Sequence, residues 1–256
     1  MANFASDIDA TDARPSPHVV TTTCRCSEHS HREFELRWDS RRTAASDVEN
    51  LATTLETSVA KGERFAPGDV VHVGWVPLRV VETPSGMLSL VEPDFCGAPL
   101  RYVGGVDAAL GHLRAQDDFA DRVGLGGLIV RPTLQDTVRV CGHLNSLGLV
   151  LDRVERADSN ASVSPRASGW IVACGDPAED DHRLQTVTIY ELVCRFPHLV
   201  DFLALPAGIT VACTDVGDAI VWQDGREVGV RTGVSIAARL SRVTRPAPVP
   251  RCGTTR

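Results

Sequence analysis

The stretch Ser168-Gly169-Trp170-Ile171-Val172-Ala173-Cys174-Gly175-Asp176 constrains the fold of this chain more than any other. A small-residue turn leads into a short apolar strand that starts on a tryptophan and stops at Gly-Asp. Trp170 can bury a large apolar area and so anchor a core. Gly175 can take the positive φ of a sharp exit, and Asp176 suits a turn. An acidic segment follows, in which Asp176, Glu179, Asp180 and Asp181 precede His182. A rigid strand therefore feeds the densest single-sign patch in the chain, which is the kind of loop that carries contacts on a fixed scaffold.

Around this strand the patterning alternates between strand and helix. Residues 33–38 (Glu-Phe-Glu-Leu-Arg-Trp) alternate polar and apolar, which predicts a half-buried strand with Phe34, Leu36 and Trp38 on one face. Ser46 and Glu49 have capping-box spacing ahead of a helix with the stripe Val48, Leu51, Leu55, Val59, and Gly62 stands at its C-terminal glycine position. Residues 69–78 predict a strand with Trp75 inside, extended over 79–82. Thr83-Pro84-Ser85-Gly86 is a turn, and 87–92 returns. A second helix is predicted over 106–123, ended by Gly124. Beyond a joint at 125–136, strands are expected at 138–141, 147–154, 209–214 and 219–223. Helical turns are expected at 186–195 and 197–205.

These elements define an α+β protein of two small mixed modules, with mainly antiparallel sheets each packed against one or two helices. The expected organisation is a flexible arm over 1–31, one module over 32–130, a second over 136–240, and a proline-rich tail over 241–256. Trp75, Trp170 and Gly175 are the expected structural anchors.

Composition removes several function classes. The formal net charge is -7, which disfavours a protein that grips phosphates, so no nucleic-acid partner is expected. Lys61 is the sole lysine, so arginine-rich patches reflect codon usage more than selection. No apolar run approaches the roughly 20 residues of a spanning helix, and residues 1–17 lack the pattern of a secretory leader. The expected location is the cytoplasm, without a membrane partner. There the eight cysteines behave mostly as small reduced hydrophobes.

Chemical motifs are sparse. Cys24, Cys26, His29 and His31 supply zinc-type donors, but the spacing is poor for a structural site, and metal binding there stays open. Cys141-Gly142-His143 places a thiol and an imidazole on one strand face without an orienting acid. Gly124-Leu125-Gly126-Gly127 follows a helix rather than a strand, which rules it out as a dinucleotide loop. The acidic segment lacks the spacing of a calcium loop, so contact with a basic partner is the better reading. No catalytic, cofactor-binding or metal residues are assigned.

The second-half pattern is Ser168-Gly169-Trp170, Gly175-Asp176, an acidic loop, Ile189-Tyr190-Glu191-Leu192, Phe196-Pro197, Phe202-Leu203 and Leu205-Pro206-Ala207-Gly208. It resembles the bacterial immunity protein 33 family, which is linked to polymorphic toxin systems. The first half resembles a companion region found beside that domain, through Phe34-x-Leu36, the 48–59 helix, Lys61-Gly62-x-x-Phe65, Gly74-Trp75 and Glu92-Pro93-Asp94-Phe95. The resemblance implies a non-enzymatic protein that neutralises a cognate protein toxin and needs no cofactor. Asp176, Glu179, Asp180 and Asp181 are then the expected partner-binding residues. The competing readings are a small thiol- or metal-dependent hydrolase and a housekeeping protein-interaction module.

Overall fold

The computed structural model describes residues 18–97, 99–142, 144, 148–155, 166–174, 183–213 and 219–231. The first strand, β1 (His18–Thr22), pairs antiparallel with β2 (Glu35–Asp39). The loose arm expected as far as residue 31 is thus corrected from His18 onward. The loop between these strands is polar, with no hydrophobic period to reveal it, but one carboxylate organises it. Glu33 accepts from the Thr23 hydroxyl at 2.6 Å, from Ser27 N–H at 2.7 Å and from Cys26 N–H at 3.2 Å. Phe34, Leu36 and Trp38 are all buried on one face, as the alternation requires.

Helix α1 (Ala45–Ala60) buries Val48, Leu51, Leu55 and Val59. It ends in a Schellman motif: Gly62, at φ 100°, donates to Val59 C=O, and Glu63 N–H reaches Ser58 C=O. Its start differs from expectation. The N-cap is Ala44, without a side-chain cap, and Ser46 lies inside the helix. The entry is set from a distance: Asp107 accepts from Asp39 N–H at 2.9 Å and from the Thr43 hydroxyl at 2.5 Å, which holds the preceding turn.

A four-stranded antiparallel sheet follows in chain order: β3 (Val70–Val73), β4 (Val76–Glu82), β5 (Leu88–Pro93) and β6 (Tyr102–Gly104). The single strand expected over 69–78 is broken at Gly74-Trp75, where Gly74 takes φ 60° and turns the chain into a hairpin. A Cβ at Gly74 would lie 2.5 Å from Leu113 Cδ1, so the turn also permits close approach of the next helix. That helix, α2 (Asp107–Arg122), is capped by a buried carboxylate: Glu92 accepts from Ala108 and Ala109 N–H at 3.0 and 2.7 Å.

The second half builds β7 (Thr137–Cys141), β8 (Leu149–Arg153), β9 (Ala167–Cys174), β10 (Leu184–Thr188), α3 (Ile189–Arg195), a 3-10 turn at Pro197–Phe202, β11 (Ile209–Cys213), β12 (Ala219–Gln223) and β13 (Arg226–Arg231). These form a seven-stranded sheet in the order β10-β7-β9-β8-β11-β12-β13. Among the described strands of this sheet only β7 and β9 run parallel. The helix expected over 186–195 is shorter than its pattern suggested. Thr186, Val187 and Thr188 belong to β10 and pair with β7, as β-branched side chains favour. The helix begins at Ile189 behind a capping box of Thr188 and Glu191.

Helices and mainly antiparallel sheets make this an α+β fold. One apolar cluster runs through both halves. Across their junction Phe119 meets Phe202 edge-on at 4.9 Å. The Gln116 amide donates to Val200 C=O at 3.1 Å, and the Tyr190 hydroxyl sits 2.6 Å from both Asp94 and Gly97 C=O. Trp75 and Trp170 are each 1% exposed. Among the described residues no helix is long and apolar enough to cross a membrane.

Candidate functional site

The Trp170 strand is held by a knot of distant residues. Gly169 has φ 85°, and a Cβ there would lie 2.5 Å from Val154 C=O, so the strand passes its neighbour at a distance that only glycine allows. Trp170 follows, and its indole N–H donates to Leu203 C=O at 3.0 Å. The Arg153 guanidinium lies 5.4 Å from the centre of the Trp170 ring. Arg153 is 4% exposed and donates to Val130 C=O at 2.7 Å, to Leu203 C=O at 3.3 Å, and to Leu205 C=O. Gly208 N–H closes the knot on Arg153 C=O at 2.7 Å. The Ser168-Gly169-Trp170 and Leu205-Pro206-Ala207-Gly208 motifs, separate in sequence, thus meet on one arginine. Sequence reasoning missed Arg153, because a cation ending an apolar strand reads as an ordinary exposed residue.

Beyond Cys174 the acidic segment begins. Gly175, Asp176, Glu179, Asp180 and Asp181 lie outside the described residues, but the strand ends that carry them are defined. Cys174 ends β9 opposite Leu149, and Leu184 opens β10 opposite Cys141. Residues 175–182 therefore connect two strands that flank β7, at the end of the sheet where β7 itself finishes. Cys213 pairs with Leu149 and with Ala219, so the 214–218 connection belongs to the same end. That connection contributes Asp215 and Asp218 to the same set of loops. Nothing further is assigned to these residues, which all lie outside the described ones.

The thiol and metal candidates occupy different surroundings. Cys141 is 1% exposed, and its sulfur lies 3.7 Å from that of Cys174, which is 5% exposed. His143 lies outside the described residues. Burial alone pushes the Cys213 thiol up to about 12. In the Cys24–His31 loop, Cys26 is buried, its sulfur 3.6 Å from the Thr23 hydroxyl, and burial raises its thiol to about 11. His31 Nε2 accepts from Phe65 N–H at 3.0 Å, which leaves Nδ1 to donate to Arg32 C=O at 2.7 Å. Both imidazole nitrogens thus tie the loop to the backbone, and the ring stacks on Phe34 at 5.8 Å. Among the described residues no group of three or more His, Cys, Asp or Glu is placed to hold a metal ion.

The described geometry defines an α+β protein in which a glycine-gated strand is locked in place by a buried arginine. Residues 130–224 match the family model described as the Imm33-like domain. The match takes in β7 to β12, Arg153, Trp170 and the Leu205–Gly208 turn. No curated protein and no solved structure matches the chain.

Proposed function

We propose that this chain is a bacterial immunity protein that binds a cognate protein toxin of a polymorphic toxin system in the cytoplasm and neutralises it by occlusion, without catalysis. The observation that carries the reading is the Imm33-like match over residues 130–224. The Trp170–Arg153 knot fits the role, because a preorganised scaffold lowers the ordering cost of binding. In this reading Asp176, Glu179, Asp180 and Asp181 form part of the toxin-facing surface, and their charge steers a basic partner. No cofactor or metal is required.

The test is co-expression with a candidate toxin, sought among the genes neighbouring this one. The wild-type chain should protect the cell. Replacing Glu179, Asp180 and Asp181 together by serine should weaken protection and slow association at low salt by about tenfold, with less effect at high salt. Unchanged protection with an unchanged association rate would reject the assignment of these residues.

A further inference from the structure

Outside the matched domain, a cleft of about 670 Å³ lies between α1 and α2, with β3 along one side. The half-buried Phe65, Val71 and Leu113 contribute apolar surface, while Asp47, Glu63, Asp117 and Asp118 supply carboxylates. Asp47 pairs across the cleft with Arg114, and Asp117 pairs with Arg131. Among the described residues Glu63 and Asp118 form no direct ion pair, although the Asp118 charge also acts on Arg114.

The side formed by β3 is a sheet edge, since among the described residues β3 pairs with β4 alone. Val73 and Val76 flank the two-residue turn, and His72 stands opposite Pro77. In such a hairpin the closing pair is hydrogen-bonded and the pairs then alternate. The main-chain groups of Val73 and Val71 therefore face β4, while those of His72 and Val70 face away from it. Pro77, which has no N–H, sits at a non-bonded position where none is needed. Val70 is 46% exposed. Natural proteins shield such edges, and an edge left beside an apolar cleft is a template for a further strand.

We propose that this cleft binds an extended, arginine- or lysine-bearing segment of a protein partner, which adds as a strand beside β3. Main-chain pairing with Val70 and His72 supplies register. Alternate side chains enter the apolar part of the cleft, and Glu63 and Asp118 receive the basic ones. The cleft lies wholly ahead of residue 130, so the inference stands or falls apart from the immunity reading.

The probe is the synthetic peptide acetyl-Arg-Val-Arg-Val-Arg-Val-amide, titrated into the full-length ¹⁵N-labelled chain, with the glutamate counterpart as control. The arginine peptide should shift the amide resonances of residues 70–73, and the glutamate peptide should not. Glu63→Lys with Asp118→Lys should weaken binding at least about fivefold, as two exposed charge pairs allow. His72→Pro removes an outward N–H and leaves the β4 ladder intact, and should weaken binding at least about threefold with unchanged circular dichroism. Equal binding of both peptides, shifts confined to other residues, or unchanged affinity in both variants would overturn the proposal. So would nuclear Overhauser contacts, in the chain alone, between β3 and residues 232–256 or a second copy.

Discussion

His112, Glu92 and Arg153 show how single polar side chains inside this protein are matched to their surroundings. His112 stands 4.7 Å from the Phe95 ring and 5.8 Å from Trp75, and its Nδ1 has no hydrogen-bond partner among the described residues. Burial lowers its pKa to about 4, with the Asp201 carboxylate opposing and Arg42 adding to the shift. The folded pKa thus lies below the ordinary value of 6.5. Between those two values the unfolded chain takes up a proton that the folded chain refuses, so stability falls as pH drops from 6.5 towards 4. Glu92 acts in the opposite sense. Burial raises its carboxyl, so the folded state binds that proton more readily than the unfolded one. The His112 contribution is isolated by comparison with His112→Leu. Urea unfolding at several pH values should show a flatter dependence in the variant, with the two curves diverging by up to about 3 kcal/mol near pH 4. Parallel curves would remove His112 from the account.

At the scale of elements, local periodicity located most pieces, and distant groups decided where they begin and end. The stripe of α1 and the alternation of β2 were legible because each records contact with water and core along neighbouring residues. The start of α1 was not, because Asp107 holds the turn before it from another helix. The split of residues 69–78 into β3 and β4 turns on Gly74, whose neighbour Leu113 lies far along the chain. Gly169 is the sharpest case within the Imm33-like region. Gly169→Ala should destabilise the protein by about 2 kcal/mol or more, because it adds left-handed backbone strain to a clash with Val154 C=O. A denaturant midpoint unchanged from wild type would show that the strand can move away from β8 at little cost.

For the whole molecule, the junction between the halves decides how it unfolds. Phe119 and Phe202, the Gln116–Val200 bond and the Tyr190 hydroxyl join α2 and the 94–97 loop to the second half. Phe119→Ala opens a cavity at this seam, where a buried phenylalanine is worth about 3–5 kcal/mol. With Trp75 in one half and Trp170 in the other, variants that keep just one of these two and also lack Trp38 and Trp222 report each half separately. The expected result is a shared unfolding midpoint that moves down together on Phe119→Ala. Separate midpoints, with one unmoved, would show the halves to be energetically independent.

Local sequence pattern set the α+β class, the positions of most strands and helices, the burial of Trp75 and Trp170, and the likeness of the second half to an immunity-protein family. All of these are written in neighbouring residues as patterns of apolar and polar side chains or as short motifs. Packing between distant parts of the chain set the parallel pairing of β7 with β9, the capping of α2 by Glu92, and the edge of β3 beside its cleft. It also decided that Arg153 is an internal strut rather than a surface charge. Each of these depends on which groups far apart in the chain come within hydrogen-bonding or van der Waals reach, and no pattern among adjacent residues records that.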